Sequence, residues 1–359
     1  MSSKPLTVRA ITAAEHRAYV ASQPAVALEQ TPGWGRGFVA ARTESVGWFE
    51  GDTMIGAGLF RFRGLPRLPM RSVAVFEIGP DIDWMGRRRP RLELNDWTKP
   101  LVDHLRNRGV FTVRINPPVV EQQWWGIDPA QRSESLEVVL HSSPATPSDA
   151  VVTTRRLESS GWKPLTKAHR VFTADVALAD ARGNSKKVSK SSGEVAPGYS
   201  GRAGTPDDLE AVAAVVAAAH PGIDVPPLRD WQQRWRGLAS DDMAGVGLRV
   251  IELNGDVVYG GLFAIVGSKA YDLSIALPQP DADRPQVQVL RAQVMKAARA
   301  AGAHTLTVPT VVSDRRAPVD SPAPGWPPVH LCQLIGTYQF AVRSTWHGAL
   351  APIVDRLVL

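Results

Sequence analysis

A chain of 359 residues, 44% of them hydrophobic, can bury a large core, and its length favours two domains. No apolar run reaches the roughly 18 residues of a membrane-spanning helix, and residues 1–8 lack the apolar stretch of a secretory signal. A single cysteine, Cys332, excludes an internal disulfide and a cysteine-rich zinc site, and a reducing, cytoplasmic setting fits.

The formal charge of +6 permits a polyanionic partner without requiring one, and part of that basicity belongs to an Ala-, Arg- and Pro-rich composition. The eight histidines show no metal-ligand spacing, so no metal is expected, and His304, His330 and His347 read as structural. Cys332 reads as a small buried hydrophobe rather than a nucleophile.

In chain order, Thr7 to Ile11 is a predicted strand, and Thr12 with Glu15 three residues on makes a capping box for a helix to about Ala21. Gly51-Asp52 then joins two apolar runs as a β-hairpin turn, whose central residues must reach positive φ. Gly56 and Gly58 would weaken an ordinary strand, which points to a bulge or to a close approach by another backbone or a ligand. A helix over 92–108 follows, with Gly109 as its C-cap and a strand over 110–115.

Residues 141–150 read as a Ser/Pro loop, 157–162 as a helix end, and 171–176 as a strand. Residues 181–201 form a polar connector that carries Arg182, Lys186, Lys187 and Lys190, with Arg202 just beyond, against one acid, Glu194. A solvated linker and a basic element on RNA phosphate are both compatible with that charge run.

The second half repeats the first. Arg202-Ala203-Gly204-Thr205 answers Arg9-Ala10-Ile11-Thr12, and Thr205, Pro206, Asp207 and Asp208 open a helix with Leu209, Val212, Val216 and Ala219 on one face. The hairpin returns as Asn254-Gly255, followed by Gly260-Gly261-Leu262-Phe263 against Gly58-Leu59-Phe60. A helix over 286–301, capped by Gly302, leads to a strand over 304–308, and a Pro-rich loop spans 314–328. Both halves therefore read β-α-β-β-β-α-β.

That order, twice over, is similar to tandem acyltransferase domains of the GNAT type. More specifically, the chain resembles the FemXAB family. The resemblance is carried by Gln30-Thr31-Pro32-Gly33-Trp34-Gly35, Gly47-Trp48-Phe49, Gly56-Ala57-Gly58-Leu59, Gly79-Pro80 with Asp83-Trp84, and Asn116-Pro117-Pro118-Val119-Val120. Leu157 to Trp162, Asn184-Ser185-Lys186-Lys187 with Lys190, and Arg284-Pro285 continue it, strongest over 7–120 and weaker beyond 300. Their order carries the match rather than any one motif.

The resemblance implies an α/β (α+β) fold of two tandem GNAT-like domains, each a mixed central sheet flanked by helices, without a coiled-coil arm. The expected domains are 1–170, completed by 338–359, and 171–337. It implies a cytoplasmic enzyme that moves an amino acid from aminoacyl-tRNA to an amine. Aminoacyl-tRNA serves as co-substrate, without a further cofactor, DNA or a membrane span.

Such a transfer needs aligned substrates, a proton taken from the amine, and a stabilised tetrahedral oxyanion. A CoA-dependent enzyme would carry an Arg/Gln-x-x-Gly-x-Gly/Ala loop at a helix N-terminus, and neither half has one. The family's lysine for the precursor's diphosphate is replaced by Phe38, with Arg36 nearby as a partial substitute. Its C-terminal lysine is also absent, since 332–337 reads Cys-Gln-Leu-Ile-Gly-Thr, and its Tyr-Asp-Leu-Arg-Gly strand corresponds to Leu306 to Thr310.

Trp34, Arg36, Phe38 and Tyr271 are therefore the substrate-binding candidates, Asp272 the candidate base or a surface carboxylate, and Gln333 the candidate oxyanion donor. Strand alternation lets only one of Tyr271 and Asp272 face a cleft. Lys186, Lys187 and Lys190 are the tRNA-binding candidates, and Trp124-Trp125 line an aromatic wall or pack in a core or interface. With two cations missing, the leading expectation is a small-molecule amine acceptor in natural-product (antibiotic) biosynthesis. The rivals are a peptidoglycan-bridge enzyme acting on a muramyl peptide and a catalytically lapsed tRNA- or partner-binding module.

Overall fold

The computed structural model describes residues 5–23, 26–38, 42–65, 68–127, 148–165, 172–178, 198–219, 228–241, 244–273, 285–308 and 329–342. In chain order the elements are β1 (Thr7–Ala10), α1 (Ala13–Ser22), α2 (Pro32–Arg36), β2 (Thr43–Glu50), β3 (Thr53–Leu65), β4 (Leu68–Val75), α3 (Leu94–Asn107), β5 (Val110–Ile115) and β6 (Val120–Ile127). Next come α4 (Ser148–Ser159), β7 (Lys163–Pro164), β8 (Phe172–Ala177), β9 (Tyr199–Ala203), α5 (Leu209–Ala219) and α6 (Leu228–Ala239). The chain closes with β10 (Ala244–Leu253), β11 (Asp256–Val266), β12 (Lys269–Asp272), α7 (Pro285–Ala300), β13 (Thr305–Val308), β14 (Val329–Leu334) and β15 (Tyr338–Ala341).

These elements form two compact units, which divide inside β6 at Gln122/Gln123 and inside β14 at Cys332/Gln333. The first unit is built on the sheet β1-β2-β3-β4-β5-β15-β7, the second on the sheet β9-β10-β11-β12-β13-β8-β14-β6. In the first, β4 and β5 are the parallel pair; in the second, β12 and β13 are. Each parallel pair is spanned by a helix, α3 or α7, as a parallel crossover requires. β15 is drawn back from the C-terminal part of the chain to pair with β5.

In the first unit Leu94, Trp97, Leu101 and Leu105 make the buried stripe of α3. They pack with Trp48, Phe60, Phe76, Val113 and Ile115 in one core, and the Trp48 indole donates to the Trp97 carbonyl at 2.7 Å. In the second unit, α7 covers one face through Val294 and Ala298, packed on Phe263, Ala270 and Leu306. The other face of β10 and β11 is covered by Leu209, Val212 and Trp231 of α5 and α6.

The duplication reaches the side chains. Thr12 donates its backbone N–H to Glu15 at 2.7 Å, and Thr205 donates its own to Asp208 at 2.7 Å. Arg9 holds Glu15 at 2.8 Å, and Arg202 holds Asp208 at 2.7 Å. Each arginine also donates to the carbonyl of the next residue, Ala10 or Ala203. Both half-domains thus open with the same Arg-x-x-Thr-x-x-acid clasp.

Both hairpins carry a bulge one turn inward. Trp48 pairs with Gly56 and Phe49 with Met54, so Ile55 is the extra residue. Ile251 pairs with Tyr259 and Glu252 with Val257, so Val258 is the extra one. The turns themselves differ. Asn254 and Gly255 both take positive φ, at 55° and 97°, whereas in the first hairpin Gly51 does, at 64°, and Asp52 does not. Asp52 keeps the usual sign because the Gly-first turn asks for positive φ at the first central residue alone.

Two helices were absent from the sequence-based order. α2 is five residues long, too short for a periodic signal. α6 buries Trp231 and Leu238, a helical spacing that its polar, Arg- and Gln-rich remainder obscures. The expected loop over 141–150 is helical from Ser148, while 141–147 lie outside the described residues.

Candidate functional site

In the first unit, the Gln30–Gly35 motif is fastened to β3 by its own side chains. Gln30 is buried; its Oε1 accepts from the Leu59 N–H at 2.8 Å and its Nε2 donates to the Leu59 carbonyl at 3.4 Å. Thr31 caps α2 by accepting from the Trp34 N–H, and Pro32 sits in the first turn. Gly35 lies against the sheet, where a Cβ would come within 3.0 Å of Leu59.

This anchoring sets Trp34 over Glu77, with the indole Nε1 donating to Glu77 Oε2 at 2.9 Å. The other oxygen of Glu77 is held by Arg61 at 2.6 Å. Phe38 closes the cluster, edge-on to Trp34 with centroids 5.8 Å apart and 4.6 Å beneath the Arg61 guanidinium. Arg36, the last residue of α2, is half-buried. Arg63 follows two residues along β3 on the same face, and burial, then the Arg61 charge, lowers its pKa. In the same row, Arg61 pairs with Val75, Val75 with Arg114, and Arg114 with Gln339, and Arg114 is 0% exposed.

The second unit carries a different polar surface. On the face covered by α5 and α6, Leu262 and Ala264 of β11 are buried, and Ala264 pairs with Tyr271 of β12. Beyond that point the face turns polar: Tyr271 pairs with Thr307, and Thr307 with Asp175. Thr307 donates to Asp175 Oδ1 at 2.7 Å, and Lys269 reaches Asp175 Oδ2 at 3.0 Å. Lys269 Nζ lies 5.6 Å from the Tyr271 ring centroid. On β14, Leu331 points into the α7-side core, so His330 and Cys332 face the other way. Burial pushes the Cys332 thiol up to about 11 and the His330 imidazole down from its ordinary value. Trp125 of β6 stacks on His330, with centroids 3.4 Å apart and rings 7° from parallel.

No protein-family model matches this sequence, and no curated protein matches it. Solved structures do. FemX aligns over 96% of this chain and 99% of its own, with a TM-score of 0.69 at 14% identity. The fold is a FemX-like tandem GNAT fold. A tandem GNAT protein from the clavulanic acid biosynthesis pathway, solved without AcCoA, aligns over 94% of this chain and 98% of its own, with a TM-score of 0.55 at 12% identity.

Within that fold, Trp34 and Phe38 are brought together, whereas Tyr271 and Asp272 lie on opposite faces of β12. Tyr271 shares the open polar face with Lys269; Asp272 pairs with Phe263, on the α7 side. Gln333 is buried, and its Nε2 donates to Glu121 Oε2 at 2.5 Å. Trp124 is a core residue, and its neighbour Trp125 is 71% exposed. Lys186, Lys187 and Lys190 lie outside the described residues, as does His347. No group of three or more His, Cys, Asp or Glu side chains that could hold a metal occurs among the described residues. No helix among them is long and apolar enough to cross a membrane.

Sequence reasoning missed Arg61, Arg63, Glu77, Asp175, Lys269 and Thr307. A signal existed for three of them: Arg61 and Arg63 alternate within an apolar strand, and Lys269 alternates with Tyr271. Their partners were hidden because Glu77 lies beyond the end of β4 and Asp175 and Thr307 come from other strands, 16, 94 and 38 positions away along the sequence.

Proposed function

We propose that this protein is an aminoacyltransferase that moves an amino acid from aminoacyl-tRNA onto the amine of a small molecule. The amine attacks the ester carbonyl, the C–N bond forms, and the ester C–O bond breaks. The amine loses one proton, and the tRNA ribose oxygen takes one as it leaves. The fold of FemX across nearly the whole chain supports the transferase reading. The clavulanic-acid-pathway structure has a related fold, which makes natural-product chemistry a reasonable place to look for the acceptor.

The choice of acceptor rests on the Phe38 cluster. Where the resemblance expects a lysine, an aromatic ring lies under Arg61, and Arg61 is itself committed to Glu77. Trp34 and Phe38 form an aromatic-walled corner around a Glu77 carboxylate already paired with Arg61, and such a wall suits a compact amine better than a diphosphate. In this reading Trp34, Arg36 and Phe38 of the first unit bind the acceptor and Gln333 is the oxyanion donor; in the second unit Tyr271 is a hydrogen-bonding wall, and Asp272, on the opposite face of β12, does not share that surface as the base. Lys186, Lys187 and Lys190 contact tRNA phosphate.

One observation favours a second reading. Arg61 and Arg63 together bring two cations to the same face of β3, and they offer a muramyl-peptide diphosphate a countercharge from the strand instead of from position 38.

Incubation with pools of charged tRNA, small amines and a UDP-linked muramyl peptide tests both. Ribonuclease-sensitive transfer to a small amine is expected. Transfer confined to the muramyl peptide selects the second reading, and no transfer from any charged tRNA overturns both.

A further inference from the structure

The face of the second sheet is apolar beneath α5 and α6 and polar beyond them, a change that helix packing does not explain. At its far end stands Trp125, 71% exposed, beside Trp124, which is 5% exposed and anchored in the core. The buried neighbour fixes the backbone of β6, and the parallel His330 ring braces the indole from one side. The opposite face of the indole is available to another planar group. A ring already held in place loses little freedom when a ligand stacks on it.

Adjacent to the platform the chemistry is hydrophilic and mixed in charge. Asp175 lies close enough to influence both His330 and Cys332, and it is held by Thr307 and Lys269 from two neighbouring strands. A carboxylate and a hydroxyl held together suit vicinal sugar hydroxyls. The lysine ammonium carries three donors, of which Asp175 takes one in the described contacts, so it suits a phosphate. A planar platform, a hydroxyl-binding pair and a cation in succession match base, ribose and phosphate.

We propose that this half of the second sheet is an adenine-nucleotide site. Trp125, braced by His330, stacks the base; Asp175 and Thr307 take the ribose hydroxyls, both of them in AMP and the one left beside the ester in an aminoacylated RNA; and Lys269 takes a phosphate. The occupant is the 3′-terminal adenosine of an RNA, a choice that rests on the tRNA-dependent reading above. The stacking site itself does not rest on it. Coenzyme A carries the same base on a ribose whose 3′-hydroxyl is phosphorylated, so it is the arm that separates the two sources.

The test is equilibrium binding of AMP, the trinucleotide CCA and coenzyme A to the full chain, read by titration calorimetry. AMP and CCA are expected to bind. Trp125→Ala should weaken both about ten-fold, within the range one base–aromatic stack carries, and Trp125→Phe should recover most of the loss. Lys269→Met should weaken AMP more than adenosine. Trp125 is exposed, so its substitution leaves the core intact, and unchanged circular dichroism checks this. Undiminished binding to Trp125→Ala, or no binding of any adenine nucleotide, overturns the site. Binding of coenzyme A with CCA excluded keeps the platform and overturns the RNA terminus as its occupant. Aminoacyl transfer that survives in Trp125→Ala with an unchanged KM for tRNA keeps the function and removes the platform.

Discussion

Arg61 stacks its guanidinium over Phe38 at 4.6 Å while one of its nitrogens grips Glu77 at 2.6 Å. The aromatic residue that replaces an expected cation is therefore not a void in the site but the floor under a different cation. Glu77 takes both the Arg61 and the Trp34 bonds, so its charge organises the corner. Glu77→Gln keeps an acceptor for the indole and removes the countercharge of a partly buried guanidinium. A stability loss of about 1–3 kcal/mol is expected. With an amine acceptor, KM should rise more than kcat falls. Urea unfolding and steady-state kinetics of the same variant check the two effects together, and an unaltered KM removes Glu77 from acceptor binding.

The legible parts of this molecule were the local ones. Thr12 with Glu15, Asn254-Gly255 and the Gly302 cap of α7 are short-range patterns, and each corresponds to an observed element. Even the doubled order of elements could be read, because the duplication repeats local signals in the same order. The sites were less legible because their members meet through sheet pairing. Lys269, Thr307 and Asp175 sit on three strands whose neighbours are set by a parallel crossover and by an antiparallel return of β8. No sequence period encodes that meeting. Gln333 and Glu121, 212 positions apart, make the same point.

His16 is a buried titrating group on the inner face of α1, which also buries Tyr19 and Val20. It is 1% exposed, and its Nδ1 lies 2.8 Å from the Ser45 hydroxyl. Burial holds its pKa down to about 4, against an ordinary 6.5. Between those values the unfolded chain binds a proton that the native one refuses, so stability falls as pH drops from 6.5 towards 4 and does not fall further on this account below it. The full loss is about 3 kcal/mol. His16→Gln should flatten this part of the pH profile. Urea midpoints at pH 7 and pH 4.5 provide the measurement, and a fall as large as in the unsubstituted protein would assign the acid sensitivity elsewhere.

Glu15 gives the opposite kind of group, an exposed carboxylate whose pKa is lowered to about 2, first by the hydrogen bond from Arg9 and then by those from Thr12. Its folded value lies below the unfolded one. Its contribution is therefore complete above about 4.5 and is lost as pH falls from there through 2. Glu15→Gln should reduce thermal stability at pH 7, and the difference should shrink progressively below pH 4.5 to a small remainder near pH 2. Thr12→Ala, which removes the cap, should cost about 1 kcal/mol at both.

For the basic connector, replacing Lys186, Lys187 and Lys190 together by Gln is expected to weaken tRNA binding. The slope of log K against log salt should fall by about two, since each phosphate contact contributes roughly 0.7–0.9. Filter binding at several salt concentrations reads this out. An unchanged slope makes the connector a solvated linker.

The paired glycines of the two hairpins carry the last prediction. Both lie just past a bulge, yet each copy is glycine for its own packing reason. In the first, Ala57 exchanges both backbone hydrogen bonds with Asp81, at 3.2 and 2.9 Å, and a Cβ on Gly58 would come within 2.7 Å of Phe76 and Pro80. In the second, α5 and α7 close in from opposite faces: a Cβ on Gly260 would meet Val212 at 2.4 Å, and one on Gly261 would meet Val294 at 3.2 Å. Substitution to Ala ordinarily favours a strand by limiting the unfolded chain, but overpacking here outweighs that gain. Gly58→Ala and Gly260→Ala should each cost about 1–3 kcal/mol, with Gly261→Ala costing less because its neighbour stands farther off. The second-unit case has an internal control. In Gly260→Ala combined with Val212→Ala, the methyl groups that obstruct the new Cβ are gone, so the double variant should lose less than the sum of the two single losses. Strict additivity in denaturant unfolding would show that the glycine is needed for the strand's own conformation and not for the approach of α5.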